Sequence, residues 1–375
     1  MSAALDKLTI KGFKSIRGLE DFELKALNIF IGANGSGKSN LVAFFRMLQA
    51  LMDEQGLALD KFIRDSGGVG GLLFNGRRTT PRMEFEMRFG ARGYRFHIEP
   101  GPTEREWALT NEARLDKREP YGWRQFGDSP NGKSQLVNEA LEKHPDSAKS
   151  RPVHNAIKSW RIYHFHDTSA SAPMRHAEIV QDNKTLRPDA ANIAPFLLHL
   201  RKTNDPVYQE IRRTVQLAVP FFDDFLLDVE SFGEKGEKKM VSLSWLAKGS
   251  DYPLQPYHLS DGSIRFICLA TALLQPKPPA TLIIDEPELG LHPAAIGILA
   301  ELIQNASNRM QLIIATQSPE LIDNFSLKDI VVVNRKKGAS TFERLKSKDY
   351  NIWLKDYSIG ELWSKNVIVG GPVHE

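Results

Sequence analysis

One cysteine stands in the whole chain of 375 residues, Cys268, inside the apolar run Phe266-Ile267-Cys268-Leu269-Ala270. A single thiol closes no intrachain disulfide, which excludes a disulfide-stapled scaffold and points to a reducing compartment. No apolar run approaches the roughly 20 residues that span a bilayer. The opening Met1-Ser2-Ala3-Ala4-Leu5-Asp6-Lys7 also lacks the long apolar stretch of a secretion signal. The expectation is a cytoplasmic protein with no membrane partner. Charge of one sign is not in excess either: 49 Lys and Arg face 46 Asp and Glu, a net of +3. So mild a balance permits contact with nucleic acid without arguing for it. No internal repeat or low-complexity tract is present, and the 41% hydrophobic and 25% charged fractions are those of a globular protein.

Leu8–Phe13 and Leu24–Ile31 are rich in β-formers and read as strands. A glycine-rich turn follows, then a helical stretch from Asn40 to about Met52, and Gly67–Gly71 reads as a flexible loop. Met83–Phe89 alternates apolar and charged residues, the pattern of a half-buried strand, and Tyr94–Ile98 pairs with it across Gly90–Gly93. From Pro100 to Pro152 the periodicity fails amid charges, prolines and glycines, so that stretch reads as an insertion of irregular or short helical structure. Ile162–Phe165 is a strand, Ala191–Leu200 and Val207–Val219 are helices, and Phe221–Val229 and Met240–Trp245 are strands around the charged turn Gly233–Lys239. The last third is the most regular: helix Asp261–Leu274, strand Thr281–Ile284, helix Pro293–Gln304, then strands Gln311–Ala315 and Ile330–Val333. Strands alternating with helices imply an α/β fold with a parallel sheet covered on both faces.

Gly32-Ala33-Asn34-Gly35-Ser36-Gly37-Lys38-Ser39 fits G-x-x-x-x-G-K-[ST] in full, after an apolar strand and before a helix. Glycines let the backbone wrap a phosphate with its N–H groups pointing inward, and the helix N-terminus adds a favourable dipole. Lys38 would neutralise β- and γ-phosphate charge and Ser39 would ligate Mg²⁺. A second unit, Thr281-Leu282-Ile283-Ile284-Asp285-Glu286-Pro287, is an apolar strand ending in two acids. Asp285 would hold the Mg²⁺, and Glu286 would orient and deprotonate a water attacking the γ-phosphate. Between them, Leu259-Ser260-Asp261-Gly262-Ser263 precedes a helix. By itself it is an ordinary serine or aspartate N-cap, although Ser260, Gly262 and the helix N-terminus could also grip an anion.

The order of these units resembles the ABC-type ATPase heads and, within them, the RecF/SMC-like branch and its bacterial stand-alone predicted ATPases. The residues that carry the likeness are Ile10-Lys11-Gly12-Phe13-Lys14-Ser15-Ile16, Gly35-Ser36-Gly37-Lys38-Ser39-Asn40, Asp285-Glu286-Pro287-Glu288-Leu289-Gly290-Leu291-His292-Pro293 and Tyr357-Ser358-Ile359-Gly360-Glu361-Leu362-Trp363. The resemblance touches nearly the whole chain and is weakest near residues 100–155. It implies a P-loop NTPase fold, an ABC-type head with a mixed or parallel sheet core and an antiparallel β lobe. The corresponding division is 1–99 and 156–335 for the two halves of the head, 100–155 for an insertion and 336–375 for a C-terminal extension.

The resemblance further implies ATP and Mg²⁺ as cofactors and an ATP-sandwich homodimer. Lys14 and Ser15 would lie near the adenine or α-phosphate. Asn34, Gly35, Ser36, Gly37, Lys38, Ser39 and Asn40 would cradle the phosphates. Ser260, Asp261 and Gly262 would form the signature that meets the γ-phosphate held by the other subunit, and Leu289–His292 would form the D-loop across the dimer interface. In place of the usual switch histidine stands Gln317, which can hydrogen-bond a water or phosphate oxygen but cannot act as a proton carrier, so hydrolysis would be slow. No Q-loop glutamine is assignable; His164-Phe165-His166-Asp167 is the candidate region for that contact.

The stretch 100–152 shows no sustained heptads, so the expectation is a head without coiled-coil arms, and the residues after the last strand are too few for a nuclease domain. Arg161 and His166 have an R-x4-H spacing found in some RNA-cleaving domains, but on a strand rather than a helix the match is fortuitous. His164, His166 and His176 lack metal-site spacing. Arg64, Arg77, Arg78, Arg82, Arg88, Arg92 and Arg95 crowd the first lobe. They form either a face for double-stranded DNA or a solvated strand surface, with no stacking aromatics evident among them. In the family such heads serve DNA repair, genome maintenance or antiviral defence, often with a separately encoded effector or nuclease. Two other readings stay open: the nucleotide-binding subunit of an ABC transporter, and a slow ATP sensor scaffolding a toxin or nuclease.

Overall fold

Two hydrophobic clusters divide the molecule, and one largely parallel sheet lies between them. The structure, a computed structural model, describes residues 4–118, 122–127, 129, 132–142, 146–232, 237–350 and 352–368. The chain begins with the hairpin β1 (Lys7–Phe13) and β2 (Ile16–Glu23), turned by Lys14 and Ser15 with Lys14 at φ 50°. β3 (Leu27–Ile31) enters the central sheet and runs into α1 (Lys38–Leu51). After α2 (Leu57–Asp65) and the single helical turn α3 (Val69–Leu72), the chain returns to the hairpin. There β4 (Met83–Phe89), β5 (Arg92–Pro100), β6 (Trp107–Asp116) and β7 (Trp123–Gln125) build an antiparallel sheet in the order β2-β1-β4-β5-β6-β7.

α4 (Gln135–Leu141) and α5 (Ser147–Ser159) lead to β8 (Arg161–Tyr163). A helical lobe follows, with β9 (Glu178–Ile179), α6 (Ile193–Thr203), α7 (Asp205–Ala218), β10 (Phe222–Leu226), β11 (Val229–Phe232), β12 (Lys238–Val241) and β13 (Ser244–Ala247). α8 (Asp261–Leu274), β14 (Thr281–Asp285), α9 (Pro293–Ala306), β15 (Gln311–Thr316), α10 (Pro319–Ile322), β16 (Ile330–Lys336) and β17 (Ala339–Arg344) complete the core. α11 (Ser347–Tyr350) and α12 (Ile359–Ser364) follow. The central sheet has the order β17-β16-β3-β15-β14-β8, parallel throughout except for the β16–β17 hairpin.

The central strands read as continuous apolar runs because both faces are covered. Ile29, Ile31, Leu282, Ile284, Leu312 and Ile314 enter the cluster of the helical lobe, whereas Phe30, Ile283, Ile313 and Val331 enter the cluster beneath the antiparallel sheet. α1 is clamped between the two sheets. Its Phe44 stacks on Phe85 of β4 at 5.5 Å, and its Phe45 meets Trp160 edge-on at 5.3 Å. Each such ring removed from water contributes roughly 1.5–3 kcal/mol, so the helix that starts at the phosphate loop is anchored along its length.

Several expected elements differ. The described part of 100–152 holds the expected short helices in α4 and the start of α5, but it also carries the unforeseen β6 and β7, which extend the antiparallel sheet. Apolar alternation is missing there because β6 buries Glu112, Arg114 and Asp116. Glu112 accepts from the Tyr94 hydroxyl at 2.7 Å, the Ser134 hydroxyl at 2.6 Å and the backbone N–H of Gln135 and Leu136 at 2.9 and 3.0 Å. A saturated polar network therefore occupies positions where apolar residues would have signalled a strand. β2 was not foreseen, β3 begins at Leu27 rather than Leu24, and part of the glycine-rich loop at Gly67–Gly71 closes a helical turn. Phe221–Val229 and Met240–Trp245 each divide between two small sheets. Of the charged turn between them, residues 233–236 lie outside the described residues, and Lys238 and Lys239 belong to β12.

Four of the seven first-lobe arginines lie beside acids. Arg64 pairs with Asp60, Arg77 with Glu104 at 3.0 Å, Arg82 with Glu84 at 2.8 Å and Arg88 with Glu86 at 2.6 Å. An aromatic residue does lie among them: Arg88 and Arg95 cover the Trp123 ring at 4.7 and 4.5 Å. Among the described residues no helix is long and apolar enough to cross a membrane.

Candidate active site

β3 is central in its sheet and wholly buried, and the phosphate loop leaves its carboxyl end, where open α/β sheets bind ligands. Gly37 caps α1 at φ 114°, a conformation closed to side chains, and a Cβ there would collide with the Ser340 hydroxyl. The Lys38 ammonium folds back onto the loop, donating to the Gly32 and Ala33 carbonyls at 2.5 and 3.2 Å. Burial lowers its pKa, while Glu286, Asp285 and Glu288 oppose that shift. The Ser36 hydroxyl is buried with no partner. An orphaned hydroxyl, a retracted ammonium and a glycine backbone suit a phosphate chain, and Asn34, Gly35 and Ser39 are exposed at the mouth.

A brace that sequence reasoning missed holds the loop open. Asn40 Nδ2 donates to Ser15 Oγ at 2.6 Å, Ser15 Oγ shares a 2.6 Å hydrogen bond with Ser340 Oγ, and Ser340 Oγ donates to the Ser36 carbonyl at 2.5 Å. The side chains of Ser15 and Asn40 are thus committed to shaping the loop. Lys14 stands half-buried beside it, its pKa lowered by burial and by the nearby Arg46.

Two strands away from β3, β14 delivers the acids. Asp285 is 8% exposed, and burial followed by the Glu286 charge raises its pKa. Glu286 takes φ 46°, rare for a residue with a side chain, fixed by its N–H donating to Ala315 at 2.7 Å. This backbone kink turns the carboxylate to Gln317, whose side-chain amide donates to Glu286 Oε1. The fold thus brings the end of β14, Glu286 and Gln317 together. Arg46 of α1, also unforeseen, adds its charge to the field on Asp285 and His164.

In the candidate Q-loop stretch, His164 and His166 stack at 3.9 Å, and His166 Nε2 lies 2.9 Å from the Asp285 carbonyl. Burial, then His166, pushes the His164 pKa down to about 4. Arg161 instead donates to the Lys158, Ser159 and Trp160 carbonyls at the end of α5, so it shares no site with His166.

Ser260 caps α8, accepting from the Ser263 N–H at 3.1 Å, and is exposed. Asp261 pairs with Arg175 at 2.9 Å, and the same guanidinium donates to the Pro256 and Leu259 carbonyls at 2.6 and 3.0 Å. Gly262 lies so close to the Gly290 carbonyl that a Cβ would clash, which joins the signature to the D-loop in one rim with Leu289 exposed. Arg265 ties the rim to the core: it donates to Phe165 at 2.8 Å, His166 at 3.1 Å and Leu289. Arg175 and Arg265 act on carbonyls far away in sequence, a signal no local motif carries.

Residues 27–323, from β3 through α10, match the family model described as "AAA domain, putative AbiEii toxin, Type IV TA system". The chain belongs to this AAA family. A search of curated proteins returns no match. Among solved structures, a Smc head bound to the C-winged helix domain of ScpA superposes on this AAA-family chain with a TM-score of 0.59 at 17% identity, covering 93% of this chain and 99% of that one. A Smc head with an extended coiled coil, bound to the C-terminal domain of ScpA from Pyrococcus furiosus, gives 0.54 at 16% identity, covering 94% and 99%. The fold of this AAA-family member is that of an SMC-head-type P-loop ATPase, as the resemblance implied.

Proposed function

We propose that the protein binds ATP with Mg²⁺, hydrolyses it slowly, and uses the cycle to close and open a homodimer that controls a separately encoded effector. The observation that carries this reading is the phosphate loop with its orphaned Ser36 hydroxyl and its lysine folded onto the Gly32 and Ala33 carbonyls, within the field of three carboxyl groups. Lys38 would move from the Gly32 and Ala33 carbonyls to the phosphates. Ser39 and Asp285 would hold the metal, whose charge would draw electron density from the γ-phosphate. Glu286 would take the proton of the attacking water, with Gln317 holding the carboxylate in place. Because an amide neither takes up nor gives up a proton near neutral pH, Gln317 orients and does not relay, which supports slow turnover.

The rim supports the dimer: Ser260 and Leu289 are exposed, with Gly262 packed against the Gly290 carbonyl beside them. The family's description names a toxin of a type IV system, and the similar Smc heads are bound to ScpA, which favours a protein effector. Double-stranded DNA as partner, with a role in repair, genome maintenance or antiviral defence, has less support because most arginines of the first lobe face acids. The transporter alternative rests only on the shared phosphate loop and signature. Light scattering tests the dimer: Glu286→Gln with saturating Mg-ATP should double its mass, and a monomer under those conditions overturns the sandwich.

A further inference from the structure

Glu288 lies two residues beyond Glu286, at the root of the D-loop. Its carbonyl accepts from Leu291 N–H at 3.0 Å, closing the turn that presents Leu289. Its side chain points the other way. Oε1 accepts from the Thr316 hydroxyl at 2.6 Å and from the Gln317 backbone N–H at 3.3 Å, and the Ser318 N–H in turn donates to the Thr316 hydroxyl at 3.0 Å. Oε2 is buried with no partner. A buried carboxyl with a bare oxygen carries a desolvation cost that a purely structural site would avoid. Burial raises its pKa, and the Thr316 and backbone hydrogen bonds oppose that shift.

The two carboxyl groups share one residue. Gln317 donates through its backbone to Glu288 and through its side chain to Glu286. We propose that Glu288 is a positioning residue for Glu286: it pins the Gln317 backbone so that the Gln317 amide can hold the Glu286 carboxylate, and it carries the setting of the D-loop to that carboxylate. A twin that pushes on Leu289 thereby moves the root of the D-loop, the Gln317 backbone and the water-activating acid together. This inference rests on the ATPase reading of the site.

The test uses the full chain with four variants: Glu288→Ala, Glu288→Gln, Gln317→Ala, and Glu288→Ala combined with Gln317→Ala. Turnover of Mg-ATP gives kcat, and titration with a fluorescent ATP analogue gives affinity. Glu288→Ala should lower kcat by on the order of tenfold, the equivalent of one lost oriented hydrogen bond, while affinity stays within about twofold. Glu288→Gln keeps an oxygen at the Oε1 position and should restore most of the rate. The double variant should be no slower than Gln317→Ala alone, because both remove the same link. In nucleotide-free protein the Gln317 side-chain amide resonance should shift in Glu288→Ala, a change a remote packing defect would not produce. Should Glu288→Ala fail to fold, Thr316→Val must still move that resonance. Additive losses in the double variant, an unmoved resonance, or full turnover in Glu288→Ala overturns the inference. A wild type that neither binds nor turns over ATP overturns the ATPase reading and this inference with it, whereas a working wild type beside additive variants overturns the inference alone.

Discussion

Replacing Arg265 by methionine keeps most of the side-chain volume and removes the guanidinium that ties α8 to the D-loop and to the end of β8. The site is 4% exposed. Three carbonyls, of Phe165, His166 and Leu289, lose their donor together. Hydrogen bonds to a charged group contribute about 1.5–3 kcal/mol each, so the gross loss is about 5–9 kcal/mol. Part of this returns because a buried cation no longer has to be held out of water; burial already lowers the Arg265 pKa. A net loss of about 2–4 kcal/mol remains. In a chain of 375 residues that corresponds to a fall in melting temperature of about 2.5–5 °C. Thermal unfolding followed by circular dichroism measures it, and hydrogen exchange over residues 286–293 should rise in parallel because the D-loop has lost its tether. A variant that melts within about 1 °C of wild type, with unchanged exchange in that peptide, refutes the assignment of Arg265 as the tie.

Two further outcomes are expected. The Arg118 guanidinium holds the Asp116 carboxyl down at about 2; a depressed acid stabilises above its unfolded value and loses that contribution as pH falls toward 2, so Asp116→Asn should flatten the acid limb of the stability curve, measured by urea unfolding from pH 5 downward. Burial pushes the Cys268 thiol up, so a thiol reagent such as DTNB should leave the folded protein unmodified at pH 8 and label one thiol only in denaturant.

What could be read from the chain beforehand was what lies contiguous in it. The phosphate loop and the acids ending β14 are runs whose strand, turn and helix contexts are adjacent, so residue type and spacing sufficed. β6 escaped because Glu112, Arg114 and Asp116 replace the apolar alternation that marks a strand. The brace of the phosphate loop escaped because Ser340 and Ser15 meet across 325 residues of chain. Arg175, Arg265 and Glu288 likewise bind backbone atoms of distant segments, and Ser260 looked like a plain N-cap because it is one. The further role proposed for it depends on a rim that only the folded chain assembles.

Equilibrium titration of the purified protein with a fluorescent ATP analogue and Mg²⁺ tests the central claim most directly. Saturable binding by wild type, lost in Lys38→Ala with the fold intact by circular dichroism, is the expected result. Equal binding by the two proteins, or none by wild type, would contradict the assignment of Gly32–Ser39 as the nucleotide cradle.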